Sequence, residues 1–263
     1  MEKDDISDIE KEIENVNEGN SEIHLNKKQN KQLKTTIFLI IGLLFIIIVG
    51  PIIFNFIFNR FDSNGLVFQK TKFGKIDFYT AKIPITNTVP TTGKAVSLSD
   101  AVGNFEVNLR NDPRTLNDIK VEIPNNEIKF IKKNPVYLSV QADAPRCRDN
   151  TLAVAELTAF LNDFAGLKVK GALDNKSVAN ESGFPYKTCN DSGNFNTIIM
   201  IRNGNESVIK QLEKNCYEIQ YKDCDINRVA ERFILVILEE YMSYFKEKQI
   251  DSGVFLNSSN VSN

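Results

Sequence analysis

Residues Ile37 to Phe58 read IFLIIGLLFIIIVGPIIFNFIF, an unbroken run of Ile, Leu, Phe, Val, Gly and Pro in which Asn55 is the one polar residue. At about 1.5 Å per residue, a helix of this length reaches roughly 33 Å, against a bilayer core about 30 Å thick. The run therefore predicts a membrane span from Ile37 to Phe58, with the lipid bilayer as its partner through residues 37–58. A core helix would keep polar positions on one face. A cleaved signal would have a shorter apolar region of about 7 to 15 residues closed by small residues, whereas this run ends on Phe54-Asn55-Phe56-Ile57-Phe58. An uncleaved signal anchor fits better. Pro51 follows Gly50 inside the run and removes a backbone donor, which predicts a kink there.

Working outward, the chain divides into a polar tail (1–34), the transmembrane helix (35–59), one large domain (60–248) and a flexible C-terminal tail (249–263). Lys27, Lys28, Lys31 and Lys34 precede the span, against Arg60 close after it and Lys70, Lys72 and Lys75 further out. Lysine and arginine are retained on the cytoplasmic side, so the N-terminus is expected inside and the large domain outside. Residues 1–34 hold 6 basic and 9 acidic residues, leaving 26 against 25 for the remainder. A nearly neutral outer domain carries no field that would gather nucleic acid.

In the tail, Ile6, Ile9, Ile13 and Val16 fall on one helical stripe. Such a stripe suits a partner-binding helix, although an isolated helix this short is marginal in water and a frayed tail is the stronger reading. The sole histidine, His24, lies in the same tail.

Beyond the span, Leu66 and Phe68, then Ile76 and Phe78, flank Gly74 in the pattern of a hairpin standing next to the membrane. Pro84 to Asp100 reads as a loop. Phe105, Val107 and Leu109 alternate with polar residues, which predicts a strand buried on one face. Asp112 and Pro113 then cap and open one helical turn, and the flanking Arg110 and Arg114 are candidates for binding an anion. Short strands follow at Val121–Ile123, Ile128–Ile131 and Val136–Val140.

Asn150 reads as the N-cap of a helix carrying Ala153, Leu157, Phe160, Leu161 and Phe164 on one face and stopped by Gly166. Leu167–Leu173 is expected to be a strand, Asp174–Asn196 a polar loop, and Thr197–Ile201 a strand covered on both faces. Gly204-Asn205 and Lys214-Asn215 turn the chain through Val208–Leu212 into Tyr217, Ile219 and Tyr221, a meander unless residues 206–213 form a short helix. Asp225 caps the last helix, whose stripe is Ile226, Ala230, Phe233, Ile237 and Tyr241. The fold class is therefore α+β: an N-terminal transmembrane helix, then an extracytoplasmic mixed sheet, strand-rich in its first half, packed on two main helices.

Cys147, Cys189, Cys216 and Cys224 are spaced 42, 27 and 8 residues apart, without the C-x-x-C knuckles of structural zinc. Outside the cytoplasm they read as two disulfides, for which three connectivities exist. A strand from Cys216 to Cys224 would span roughly 25 Å, beyond the reach of one bond. If the strands before Cys147 and Cys224 run the same way, the pairs are Cys147–Cys224 and Cys189–Cys216. Six N-x-S sequons begin at Asn175, Asn180, Asn190, Asn205, Asn257 and Asn260 and are candidate glycosylation sites.

Few residues suggest chemistry. No histidine lies beyond the span, which removes the usual general base for a serine or cysteine nucleophile and the commonest transition-metal ligand. Ser207 and Lys210 match S-x-x-K, but neither S-D-N nor K-T-G accompanies them. Asp223, Asp225 and Glu231 are oxygen ligands that could gather a hard cation, although caps and surface roles suit them better. No resident metal and no cofactor is implied.

Leu109-Arg110-Asn111-Asp112-Pro113-Arg114, Asn215-Cys216-Tyr217, Asp223-Cys224 and Glu231-Arg232-Phe233-Ile234-Leu235 resemble recurring segments of single-pass membrane proteins from small-genome archaea. The resemblance covers most of residues 66–245. It implies an N-terminal anchor, an external mixed α/β domain and oxidised cysteines, and that family has no assigned activity. The expectation is a membrane-anchored surface protein whose outer domain is a binding or assembly module of the envelope, with an envelope protein as partner. The alternative is an envelope hydrolase using carboxylates or the Ser207 and Lys210 pair.

Overall fold

The computed structural model describes residues 34–51, 59–86, 101–131 and 134–251. The chain forms two compact units, Met1–Asn59 and Arg60–Asn263. In the first, Lys34–Pro51 is a helix, α1, with a mean hydropathy of 2.2 and none of its residues buried. The kink expected at Pro51 falls at the last described residue of α1, and the tail stripe, His24 and residues 52–58 lie outside the described residues.

The second unit is α+β and holds two sheets where the sequence suggested one. Strands β1 (Arg60–Ser63), β2 (Leu66–Phe73), β3 (Ile76–Thr86) and β4 (Ala101–Leu109) form an antiparallel sheet in chain order. The β2–β3 hairpin turns at Gly74, with φ of +64°. Strand β3 continues through Pro84 to Thr86, past the expected start of the loop at Pro84. Proline is tolerated there because β2 pairs with β3 only from Ala81 toward the turn, so the missing N–H sits on an open edge. Residues 87–100 lie outside the described residues.

The second sheet contains β5 (Lys120–Glu122), β6 (Val136–Val140), β7 (Val169–Leu173), β8 (Thr197–Asn203), β9 (Val208–Glu213) and β10 (Cys216–Tyr221), ordered β5-β9-β10-β8-β6-β7. Residues 208–213 are a strand, not a helix, and β8, β9 and β10 are not a meander. Strand β10 inserts between the other two, antiparallel to β9 and parallel to β8. Three fully buried residues of β10 (Cys216, Tyr217 and Ile219) gain neighbours on both sides in that central position.

Ile128–Ile131 is not a strand, because its backbone groups are satisfied by side chains instead of a ladder. Glu240 accepts from Ile128 N at 2.9 Å, Thr197 Oγ1 accepts from Ile131 N at 3.1 Å, and the Tyr217 hydroxyl accepts from Lys129 N at 2.7 Å. The same hydroxyl donates to Lys129 O at 3.2 Å.

Helix α2 (Asn150–Asp163) begins one residue earlier than expected, with Asp149 at the cap and the Asn150 amide donating to Pro145 O at 2.9 Å. The expected loop at 174–196 contains α3 (Lys176–Ser182), whose first N–H groups, Ser177 and Val178, donate to Asn175 Oδ1. Helix α4 (Ile226–Asp251) buries Phe233 through Leu238 on every side.

Helices α2 and α4 form a layer between the sheets. On one side, Phe105 of β4 meets Phe160 of α2 and Phe164 just beyond it, and the Tyr241 hydroxyl of α4 donates to Pro84 O of β3. On the other, Tyr217 of β10 packs edge-on against Phe233 of α4 at 6.3 Å. The outer face of the second sheet carries a smaller cluster of Ile198, Met200 and Cys216, packed by Tyr137 and Cys189.

Strands β6, β8 and β10 run parallel, so the ends before Cys147 and Cys224 lie together. Cys147 bonds to Cys224 and Cys189 to Cys216, with Cα–Cα distances of 5.4 and 5.5 Å. The closed loops of 77 and 27 residues each confer about 4 kcal/mol on a chain-entropy estimate.

Candidate functional site

Strand β4 ends at Leu109, and the next residues turn sharply. Asp112 accepts from Arg114 N at 3.0 Å and Pro113 opens a 3-10 turn, Pro113–Asp118. The Arg114 guanidinium grips Asp112 and stacks over the Phe61 ring at 4.1 Å, so this arginine is engaged in holding the turn.

The turn is fastened to α4 by Glu231, which is 1 % exposed. Its Oε1 accepts from Arg110 N at 2.6 Å, and its Oε2 accepts from Asn111 N at 3.0 Å and Asn111 Nδ2 at 2.9 Å. Burial pushes the Glu231 carboxyl up to about 7, against the pull of the Arg110 and Asn111 donors, and the nearby Glu156 charge adds to the rise. One helical turn earlier, Asn227 Nδ2 donates to Glu231 Oε1 at 3.3 Å, while Asn227 Oδ1 is buried without a partner.

Between this fastening and the Cys147–Cys224 bond lies a polar cleft of about 250 Å³, lined by Arg110, Asn111, Asp149, Cys224, Asp225, Asn227 and Arg228. Arg110 spans its wall, with Nε donating to Glu156 Oε1 at 3.2 Å and the guanidinium 5.8 Å from the Phe78 ring centre. Burial raises the Glu156 carboxyl, and Arg110 opposes that rise. Arg228 donates to Asp225 Oδ2 at 3.0 Å and to Thr115 O at 2.9 Å. Two guanidiniums and two carboxylates therefore line one opening, beside an amide oxygen that lacks a donor. Such a lining suits a small polar ligand that carries both a hydrogen-bond donor and an anionic group.

The other sequence candidates separate. Ser207 Oγ lies 3.4 Å from Asp225 Oδ2 and accepts from Lys222 N at 3.2 Å, whereas Lys210 pairs with Glu206 at 3.4 Å. Different partners hold the two side chains, and Lys210, at the third residue of β9, is no part of the Ser207 network. Asp223, Asp225 and Glu231 do not converge either: Glu231 is spent on the β4 turn, Asp225 on Arg228, and Asp223 is exposed at φ of +48°. Among the described residues no group of three or more His, Cys, Asp or Glu could hold a metal ion. Asn175, Asn180, Asn190 and Asn205 are exposed, while Asn257 and Asn260 lie outside the described residues.

Sequence reasoning singled out Arg110 for an anion and Glu231 for a cation, and missed that Glu231 fastens the β4 turn beside a cleft lined by Arg110. A signal was present, because Glu231 interrupts the buried stripe of α4 between Ala230 and Ile234. An acid at a core position needs donors, and Leu109-Arg110-Asn111-Asp112-Pro113-Arg114 supplies them from two backbone groups and an amide. No protein-family model matches the chain, and neither the curated proteins nor the solved structures contain a match to it.

Proposed function

We propose that this chain is a single-pass membrane protein with a cytoplasmic N-terminus and an external domain that serves as a binding or assembly module of the cell envelope. The observation that carries the reading is the pairing of two disulfides, within one domain, with an apolar helix none of whose described residues is buried. Disulfides persist in oxidising compartments, and a helix of that composition needs lipid around it. The lysines before the span against the single Arg60 after it favour the stated orientation. Exposure of Asn175, Asn180, Asn190 and Asn205 agrees with surface glycosylation. The cleft around Arg110 is the ligand site of the module, presented to an envelope protein or a small polar envelope component.

The test uses intact cells producing the full chain with an N-terminal epitope. Added protease removes the domain and leaves the epitope on a membrane-protected fragment, and maleimide labels the four cysteines only after a reductant is added. A protected domain, or thiols that react without reduction, overturns the proposal.

A further inference from the structure

The β2–β3 hairpin stands clear of both neighbouring strands. Arg60 at the start of β1 pairs with Gln69, so Lys70 to Phe73 of β2 continue past the point where the chain enters the domain. On the other side Leu109 ends β4 opposite Tyr79, leaving Ile76 to Phe78 of β3 without a β4 partner. Four residues at about 3.4 Å each carry the tip roughly 14 Å beyond Arg60.

The direction of that projection matters. Strand β1 leads from Arg60 into the domain and β2 returns, so the tip points back along the side from which residue 60 is reached. The apolar run Ile37–Phe58 ends two residues before Arg60.

The tip has the composition of a membrane-surface element. Phe73 is 83 % exposed and Ile76 46 % exposed, and they are directly opposed cross-strand partners that share one face. Lys75 occupies the two-residue turn with Gly74, and Lys70 and Lys72 lie on the opposite face, where Asp77 pairs with Lys70 at 2.9 Å and with Lys72 at 3.9 Å. Three lysines against one aspartate leave the ribbon cationic. An aromatic and an aliphatic side chain beside lysines is the pairing that settles at the junction of acyl chains and anionic headgroups.

We infer that the β2–β3 hairpin tip seats on the outer surface of the bilayer, with Phe73 and Ile76 in the headgroup boundary and Lys70, Lys72 and Lys75 on anionic headgroups. The inference rests on the membrane-anchor reading above. It gives the domain a second attachment to the bilayer besides the span, through the ribbon whose Phe78 ring faces Arg110 of the cleft.

The chain contains no tryptophan, so one introduced residue reports alone. The full chain is reconstituted into phosphatidylcholine–phosphatidylglycerol vesicles containing lipid brominated near the headgroup end of its acyl chains. Three variants are compared: Phe73→Trp at the tip, Phe45→Trp in α1, and Phe195→Trp at an exposed position near Cys189, far along the sheet from Cys224.

Seating of the tip makes the Phe73→Trp emission blue-shifted and quenched by bromine, and leaves Phe195→Trp red and unquenched. Adding Lys72→Glu and Lys75→Glu to Phe73→Trp relieves the quenching. Bromine quenching of Phe45→Trp without quenching of Phe73→Trp overturns the inference and leaves the anchor standing. A blue-shifted but unquenched Phe73→Trp assigns the tip to a protein contact, and so also overturns it. Unquenched Phe45→Trp removes the anchor reading itself.

Discussion

Glu231 accepts the backbone N–H of Arg110 at 2.6 Å across 121 residues of sequence, and so ties the end of β4 to the middle of the α2–α4 helix layer. The same carboxylate takes two more donors from Asn111. This one side chain joins the antiparallel sheet to the helices at the wall of the cleft.

Replacement of Glu231 by alanine strands two backbone donors and an amide in a buried site. The expected cost is about 3 to 5 kcal/mol, with glutamine costing less because it keeps one acceptor. Urea unfolding of the full chain in detergent, read as a shift in midpoint at constant slope, measures both.

Glu231 also makes stability depend on pH. Its carboxyl is raised from 4.5 in the unfolded chain to about 7 in the fold, so between those values the native state keeps a proton that the unfolded chain has lost. Its contribution is fully present below about pH 4.5 and is lost as pH rises through about 7, an effect on the order of 3 kcal/mol. Asn227 Nδ2 donates to Glu231 Oε1 at 3.3 Å, a hydrogen bond that favours the ionised carboxylate. Stability measured from pH 4 to 8 should therefore fall less in Glu231→Gln than in the native chain. Asn227→Ala removes that donor and should move the midpoint of the fall to higher pH.

The two disulfides should differ in their response to reductant. Cys224 is exposed and borders the cleft, whereas Cys216 is fully buried under Tyr137 and Cys189. Thiol–disulfide exchange requires access of the attacking thiolate to sulfur. Mild dithiothreitol followed by alkylation and peptide mass mapping should open Cys147–Cys224 first. Equal rates for the two bonds would mean that access does not govern them.

Tyr217 holds a segment that no strand holds. Its hydroxyl both accepts from Lys129 N and donates to Lys129 O, and Tyr217→Phe leaves both groups without that partner. A loss of about 1 to 3 kcal/mol is expected. Hydrogen exchange at the Lys129 amide should accelerate more than exchange in β8, which keeps its ladder.

Ser207→Ala and Lys210→Ala test the rival hydrolase reading. Their side chains make separate surface contacts, so each change should alter stability by no more than about 1 kcal/mol. Any turnover found in the preparation should survive both substitutions.

Local chemistry made much of the fold legible. The apolar run of α1, the Gly74 hairpin, the alternation of Phe105, Val107 and Leu109, the Asp112-Pro113 turn and the stripe of α4 all follow from spacing within a few residues. The errors have a common cause. Ile128–Ile131 has the composition of a strand, but its backbone partners are Glu240, Tyr217 and Thr197, each at least 66 residues away. Asp174–Asn196 is polar enough for a loop, yet the side chain of Asn175 caps a helix inside it.

The sequence by itself determined the apolar helix, the class of the domain and the turns at Gly74 and Asp112-Pro113, because these depend on side-chain period and backbone freedom over a few residues. Tertiary structure alone decided that β10 enters between β8 and β9, that β6, β8 and β10 run parallel and bring Cys147 to Cys224, and that Glu231 meets Arg110 and Asn111. Those outcomes depend on which distant surfaces bury the most apolar area together while every buried polar group finds a partner, and that is a property of the whole packed chain.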